Sequence, residues 1–224
     1  MSAGVFVSAA VLGTIVLLVA LMFQRGREGG VSARAVLRTY LYVGSLAGIV
    51  ALAVGLGSVV DYGLARAFGD DFVYGAAPVA IAVPLCPPGA VSCVQPSGTD
   101  LRKQQQERQN ERRRNEDLIR GLTFTFFGAL FWGAHWGARR WLGEEAAPGT
   151  GLRRGYLMLG TAVFGLGTIV LLPTGIYQAL SNTLLPTPDN VYRPGADALG
   201  GGIVALPIWL IYLRLAVGDL RGGA

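Results

Sequence analysis

Along this chain of 224 residues, long uncharged apolar runs alternate with more polar stretches that carry the arginine. The runs occupy residues 4–23, 39–60, 121–138, 156–180 and 199–213. An α-helix rises about 1.5 Å per residue, so about twenty residues cover the roughly 30 Å hydrocarbon core of a bilayer. The first, second and fourth runs reach that length unaided. The third and fifth predict helices that continue past their apolar cores. Ahead of the third, residues 101–120 carry charges of both signs and neither proline nor glycine, which predicts a helix feeding straight into Gly121. The fifth contains Pro207, which removes one backbone donor and predicts a kink, read as a packing feature ahead of a gating hinge.

Two of the runs open alike. Arg38-Thr39-Tyr40-Leu41 leads into the second and Arg154-Gly155-Tyr156-Leu157 into the fourth, 116 residues later, and the match continues at Gly44-Ser45 and Gly160-Thr161. Each run ends beside a tyrosine, Tyr62 or Tyr177. Two further crossings separate the copies, so both run in one direction and form a parallel repeat about an approximate twofold axis along the membrane normal. The expected fold is all-α and polytopic, with five transmembrane helices. Residues 1–30 form an N-terminal anchor, 34–140 a first repeat hairpin with a long external loop at 61–120, and 150–217 a second repeat hairpin.

Composition agrees with a membrane solvent: 52% of residues are hydrophobic, 15% charged, and 33 are glycine. Charge then sets the orientation. Arg25, Arg27, Arg34 and Arg38 follow the first run, Arg139, Arg140, Arg153 and Arg154 join the third to the fourth, and Arg214 and Arg221 follow the fifth. Alternate threading puts these on one side, which the positive-inside rule makes cytoplasmic. The N-terminus and the 61–120 loop are then outside the cytoplasmic (inner) membrane, and the C-terminus is inside. The first run, with basic residues after it and none before, reads as a retained anchor rather than a cleaved signal. The 61–120 loop strains the rule, since it carries eight basic residues beside eight acidic ones.

The same loop holds both cysteines, Cys86 and Cys93, separated by a turn-forming Pro-Pro-Gly-Ala-Val-Ser stretch. An external loop is oxidising territory, so a disulfide is expected ahead of two free thiols. No metal site is expected from two cysteines without a histidine nearby. Residues 76–85 are apolar but too short to cross. Residues 102–117 are polar on every face and lack an apolar heptad, which predicts a solvated stalk extending the third helix, with partner docking as a further role. Balanced charge there argues against nucleic acid.

Phe131-Trp132-Gly133-Ala134-His135-Trp136 in the first hairpin has as its counterpart Ile208-Trp209-Leu210-Ile211-Tyr212-Leu213 in the second, with arginine soon after each. Across residues of segments two to five, the Arg-x-Tyr-Leu starts, the Trp-x-x-His-Trp-x-x-Arg end and the duplicated hairpin resemble a bacterial integral membrane family known as a domain of unknown function. The resemblance implies the membrane fold and brings no established activity. The second copy departs from the first at Tyr212 and Leu213, where the first has His135 and Trp136. Because Tyr212 replaces it, His135 reads as part of an aromatic interface belt with Tyr40, Tyr156, Trp132, Trp136, Trp209 and Tyr212, ahead of a haem ligand or proton carrier. Gly44 with Gly48, and Gly133 with Gly137, repeat at four-residue spacing and mark faces for close helix packing.

No Asp, Glu, Lys or Arg lies inside any of the five apolar runs, and hydroxyls such as Ser45 and Thr161 are expected to bond within the bundle. No catalytic residues, metal ligands or cofactor are indicated. The expectation is a non-enzymatic accessory or scaffold subunit of a membrane assembly, its partners the lipid bilayer and other membrane-protein subunits or a second copy of the chain. A small transporter or channel for a neutral or apolar solute is the alternative.

Overall fold

The computed structural model describes residues 33–75, 98–143, 151–184 and 195–222, and every element among them is an α-helix. In chain order they are α1 (Ala33–Phe68), α2 (Asp70–Tyr74), α3 (Gly98–Trp141), α4 (Gly151–Leu184) and α5 (Ala198–Gly222). The expected anchor in residues 1–30, the apolar stretch at 76–85, and Cys86 with Cys93 lie outside the described residues.

Three of these helices are long and apolar enough to cross a membrane: Val36–Phe68, Gly151–Leu184 and Ala198–Arg221. The apolar half of α3 is interrupted by Thr123, Thr125, His135 and several glycines, which lowers its mean hydropathy below theirs. It still presents Leu122, Phe126, Phe127, Leu130 and Phe131 outward. The outer faces of α4 and α5 are apolar in the same way, at Leu166, Ile169, Val170, Leu210 and Ile211. In water such a surface would be a liability.

The helices pair antiparallel, and glycine sets how closely. Along α1 and α3, Gly44 faces His135, Gly48 faces Trp132, Leu52 faces Gly128, and Val59 faces Gly121. A Cβ at Gly48 would lie 2.6 Å from the Trp132 amide nitrogen, so the two backbones nearly touch. Along α4 and α5, Gly160 faces Tyr212, Gly165 faces Trp209, and Gly175 faces Leu199, whose Cα lies 2.5 Å from the position of a Cβ. Gly133 and Gly137, expected to mark a packing face, have open space beside them among the described residues. The α3 face that meets α1 is instead the one carrying Gly121, Gly128, Trp132 and His135.

α1 also joins the two pairs. Its Ile49, Val50 and Ala53 pack on a core of Leu157, Phe164, Ala205 and Tyr212. Further along, Gly57 meets Gly201, with Gly201 Cα 3.3 Å from a Cβ position at Gly57, and the Gly200 amide donates to Asp61 Oδ1 at 3.2 Å. The Gly200 to Gly202 run is thus a tightly packed first turn of α5. Both α4 and α5 run through an internal proline, Pro173 and Pro207, without ending.

α1 stops where Gly69 adopts a φ of 97°, a conformation that costs glycine little, and its amide still closes on the Ala65 carbonyl at 3.0 Å. This turn lets the five-residue α2 fold back beneath the bundle. Val73 is fully buried and Tyr74 nearly so, and the Ala196 amide donates to the Phe72 carbonyl at 2.9 Å. α2 therefore ties together the ends of α1, α3 and α5.

Candidate functional site

At the α2 end, the polar half of α3 is not solvated on every face. Gln106, Asn110, Arg114 and Asp117 are spaced by four, four and three residues, which places them on one stripe of the helix. That stripe docks on α2. Asn110, 1% exposed, donates from Nδ2 to Asp71 Oδ1 at 2.9 Å and to the Gly75 carbonyl at 3.4 Å. Gln106 Nε2 donates to Asn110 Oδ1 at 3.2 Å and to the same carbonyl at 3.4 Å. Arg114 Nη1 holds both oxygens of Asp70, at 3.0 and 3.1 Å. Tyr74 donates to Asp117 Oδ2 at 2.9 Å, while Arg120 pairs with the other oxygen and also donates from Nε to Ser58 Oγ at 3.3 Å. Burial, and then the hydrogen bond to Asp117, push the Tyr74 phenol above its ordinary range. On the opposite side of α3, Glu107, Arg108, Glu111, Arg112, Asn115 and Glu116 face outward. The polar helix is thus a braced arm with one free, mixed-charge face.

At the other end, the residues expected to form an aromatic belt gather in two similar arrangements. His135 covers Gly44, its ring centroid 5.3 Å from that of Tyr40, and its Nδ1 bonds the Phe131 carbonyl of its own helix at 2.7 Å. Tyr212 covers Gly160 in the same way, its ring centroid 5.6 Å from that of Tyr156 and their hydroxyls 2.5 Å apart. Trp132 and Trp136 stack at 6.2 Å, Trp209 packs on Gly165, and Trp141 is 89% exposed. No cluster of three or more possible metal ligands occurs among the described residues.

Between the two arrangements lies a cavity of about 400 Å³, bordered by Tyr42, Ile49, Trp132, Trp136, Arg139, Arg153, Tyr156, Leu157, Ile211, Tyr212 and Leu215. Arg139 is only 7% exposed. Its guanidinium carbon sits over the Tyr42 and Tyr156 rings at 4.7 and 5.0 Å, and Nη2 donates to the fully buried Ser45 Oγ at 3.2 Å. Its Nε is buried without a hydrogen-bond partner. Arg153 and Arg154 instead share the buried Asp219, at 3.3 and 3.4 Å. Thr161, which matches Ser45 in the sequence, donates to the Leu157 carbonyl of its own helix at 2.8 Å.

Sequence reasoning placed Arg139 at a helix end as a topology signal, and did not place it in the interior; Asp117 and Asp219 are buried in the same way. An arginine at a run's border can point either way, and the repeat gives no sign of which. The spacing of Gln106, Asn110, Arg114 and Asp117 stands in the sequence, but only the fold-back at Gly69 shows that this stripe is the covered one. Compared with known proteins, the chain matches no family model, no curated protein and no solved structure, so function is argued from geometry.

Proposed function

We propose that this protein is a non-enzymatic accessory or scaffold subunit of a membrane assembly, with the outward face of the α3 arm as its docking surface. The observation that carries this reading is the brace. A polar helix gains little from folding in water and pays for its order in entropy. Here four consecutive stripe positions hold it on α2, and the mixed-charge opposite face is left projecting in a fixed direction.

In this reading the apolar half of α3 crosses the bilayer beside α1, and residues 4–23 add the fifth crossing. The two hairpins are duplicates. Support comes from the pairing of His135 with Gly44 and Tyr40, and of Tyr212 with Gly160 and Tyr156, since each pair of equivalents stands at the offset seen in the sequence. The arginine-bearing helix ends lie in the cytoplasm and the arm outside, in the orientation that arginine placement favours.

The test is affinity purification of the full chain from its native membrane, with crosslinks mapped by mass spectrometry. A partner in stoichiometric amount, crosslinked within residues 107–116 and lost when Arg108 and Arg112 are both changed to Glu, is the expected outcome. Solute flux by the purified protein alone in liposomes would favour the transporter alternative. Against that alternative, α1 and α5 close on each other at Gly57 and Gly201.

A further inference from the structure

Arg139 takes no part in the brace. A guanidinium has five donors in a planar fork and keeps its charge inside a protein. This one is 93% buried by its 7% exposure, yet it makes no ion pair among the described residues, and Nε has no acceptor. Two tyrosine rings and one serine hydroxyl offset only part of the cost of taking that charge out of water. Arg153 borders the same cavity, and the two arginines that reach Asp219 outnumber its single carboxylate, so the surroundings keep a net positive charge.

The rest of the lining is amphiphilic. Trp132, Trp136, Tyr156 and Tyr212 are the rings that mark headgroup depth, and Ile49, Leu157, Ile211 and Leu215 line it with aliphatic surface. A buried fork, a rim cation and an apolar wall fit a phosphate oxyanion attached to a hydrocarbon chain. We propose that the cavity binds the headgroup phosphate of an anionic lipid, with Arg139 and Arg153 as its cationic contacts and the aliphatic wall beside its chain. The shared chemistry with a free phosphate compound is the oxyanion; the aliphatic wall selects the lipid.

This inference shares only the bilayer placement with the proposed function, and its test reads lipid rather than partner binding, so either can fail alone. The purified full chain is titrated in detergent with phosphatidylglycerol, phosphatidylcholine or inorganic phosphate and followed by native mass spectrometry. One phosphatidylglycerol per chain is expected, held about tenfold or more tightly than phosphatidylcholine. Arg139→Gln and Arg153→Gln should each weaken it by about tenfold, while Arg221→Gln, at the same end but outside the lining, leaves it unchanged. If Arg139→Gln does not stay folded, Arg153→Gln on the partly exposed rim carries the comparison. Equal retention of the two lipids, or wild-type affinity in Arg153→Gln, overturns the proposal. Displacement of the lipid by equimolar inorganic phosphate would assign the oxyanion site to a free compound and overturn the lipid.

Discussion

Tyr156 and Tyr212 meet hydroxyl to hydroxyl at 2.5 Å, directly above Gly160. In the other hairpin, Tyr40 and His135 meet above Gly44, their centroids 5.3 Å apart. Each glycine is the point where an aromatic side chain from the opposite helix takes the space a Cβ would fill. The two rings keep similar packing and differ in their polar contact: His135 Nδ1 meets the Phe131 carbonyl, and the Tyr212 hydroxyl meets that of Tyr156.

Gly44→Val and Gly160→Val should therefore each destabilise the fold by about 1–3 kcal/mol, because overpacking pushes the paired helix away. Gly133→Ala and Gly137→Ala have room and should stay within about 0.5 kcal/mol of the parent. Unfolding in mixed micelles, followed by far-ultraviolet circular dichroism, measures all four.

Asn110→Leu should loosen the arm without disturbing α4 and α5. It strands the Asp71 and Gly75 acceptors at a site that is 1% exposed, at a cost of about 1–3 kcal/mol. Hydrogen exchange should accelerate across residues 104–117 and stay slow in α4 and α5.

Tyr74 gives the brace an alkaline limit. Its folded form holds the phenolic proton more tightly than the unfolded chain does, because burial and Asp117 oppose the anion. Above about pH 10 the unfolded chain releases that proton and the folded one does not, so the contribution to stability is full below this point and falls as pH rises. Exchange of the arm should quicken with pH in that range beyond the intrinsic rate. Tyr74→Phe should remove the extra pH dependence while costing about 1–2 kcal/mol at neutral pH.

Asp219→Asn should destabilise the α4 to α5 end by about 1–2 kcal/mol, between surface and buried pairs, since Arg153 and Arg154 are partly exposed. The same micelle titration detects it.

The long apolar helices α1 and α4 were legible because twenty or more uncharged residues leave few alternatives, and α5 because its shorter apolar run predicts a helix that continues past it. The continuation of the third apolar run backward into a long polar helix was legible from its lack of proline and glycine, and α3 runs from Gly98 to Trp141 as one helix. What could not be read was which side of a polar helix is covered. Asn110 and Asn115 look alike in the sequence, and only the fold-back at Gly69, which brings Asp70 and Asp71 beneath α3, distinguishes them. Likewise four-residue glycine spacing marked Gly44 and Gly48, which do face a partner helix, and Gly133 and Gly137, which have open space. Spacing defines a face but not its neighbour. Arg139 was hidden for a related reason: an arginine at a helix border reaches water or interior according to the helix beyond it, here α4 with Tyr156.

The most direct test of the account is crosslinking of the full chain in its native membrane, with purification through a C-terminal tag and quantitative mass spectrometry. The account predicts a partner at fixed stoichiometry, joined through residues 107–116 of α3 and released by the double change of Arg108 and Arg112 to Glu. A chain that purifies alone under these conditions, and moves a solute when reconstituted by itself, would contradict it.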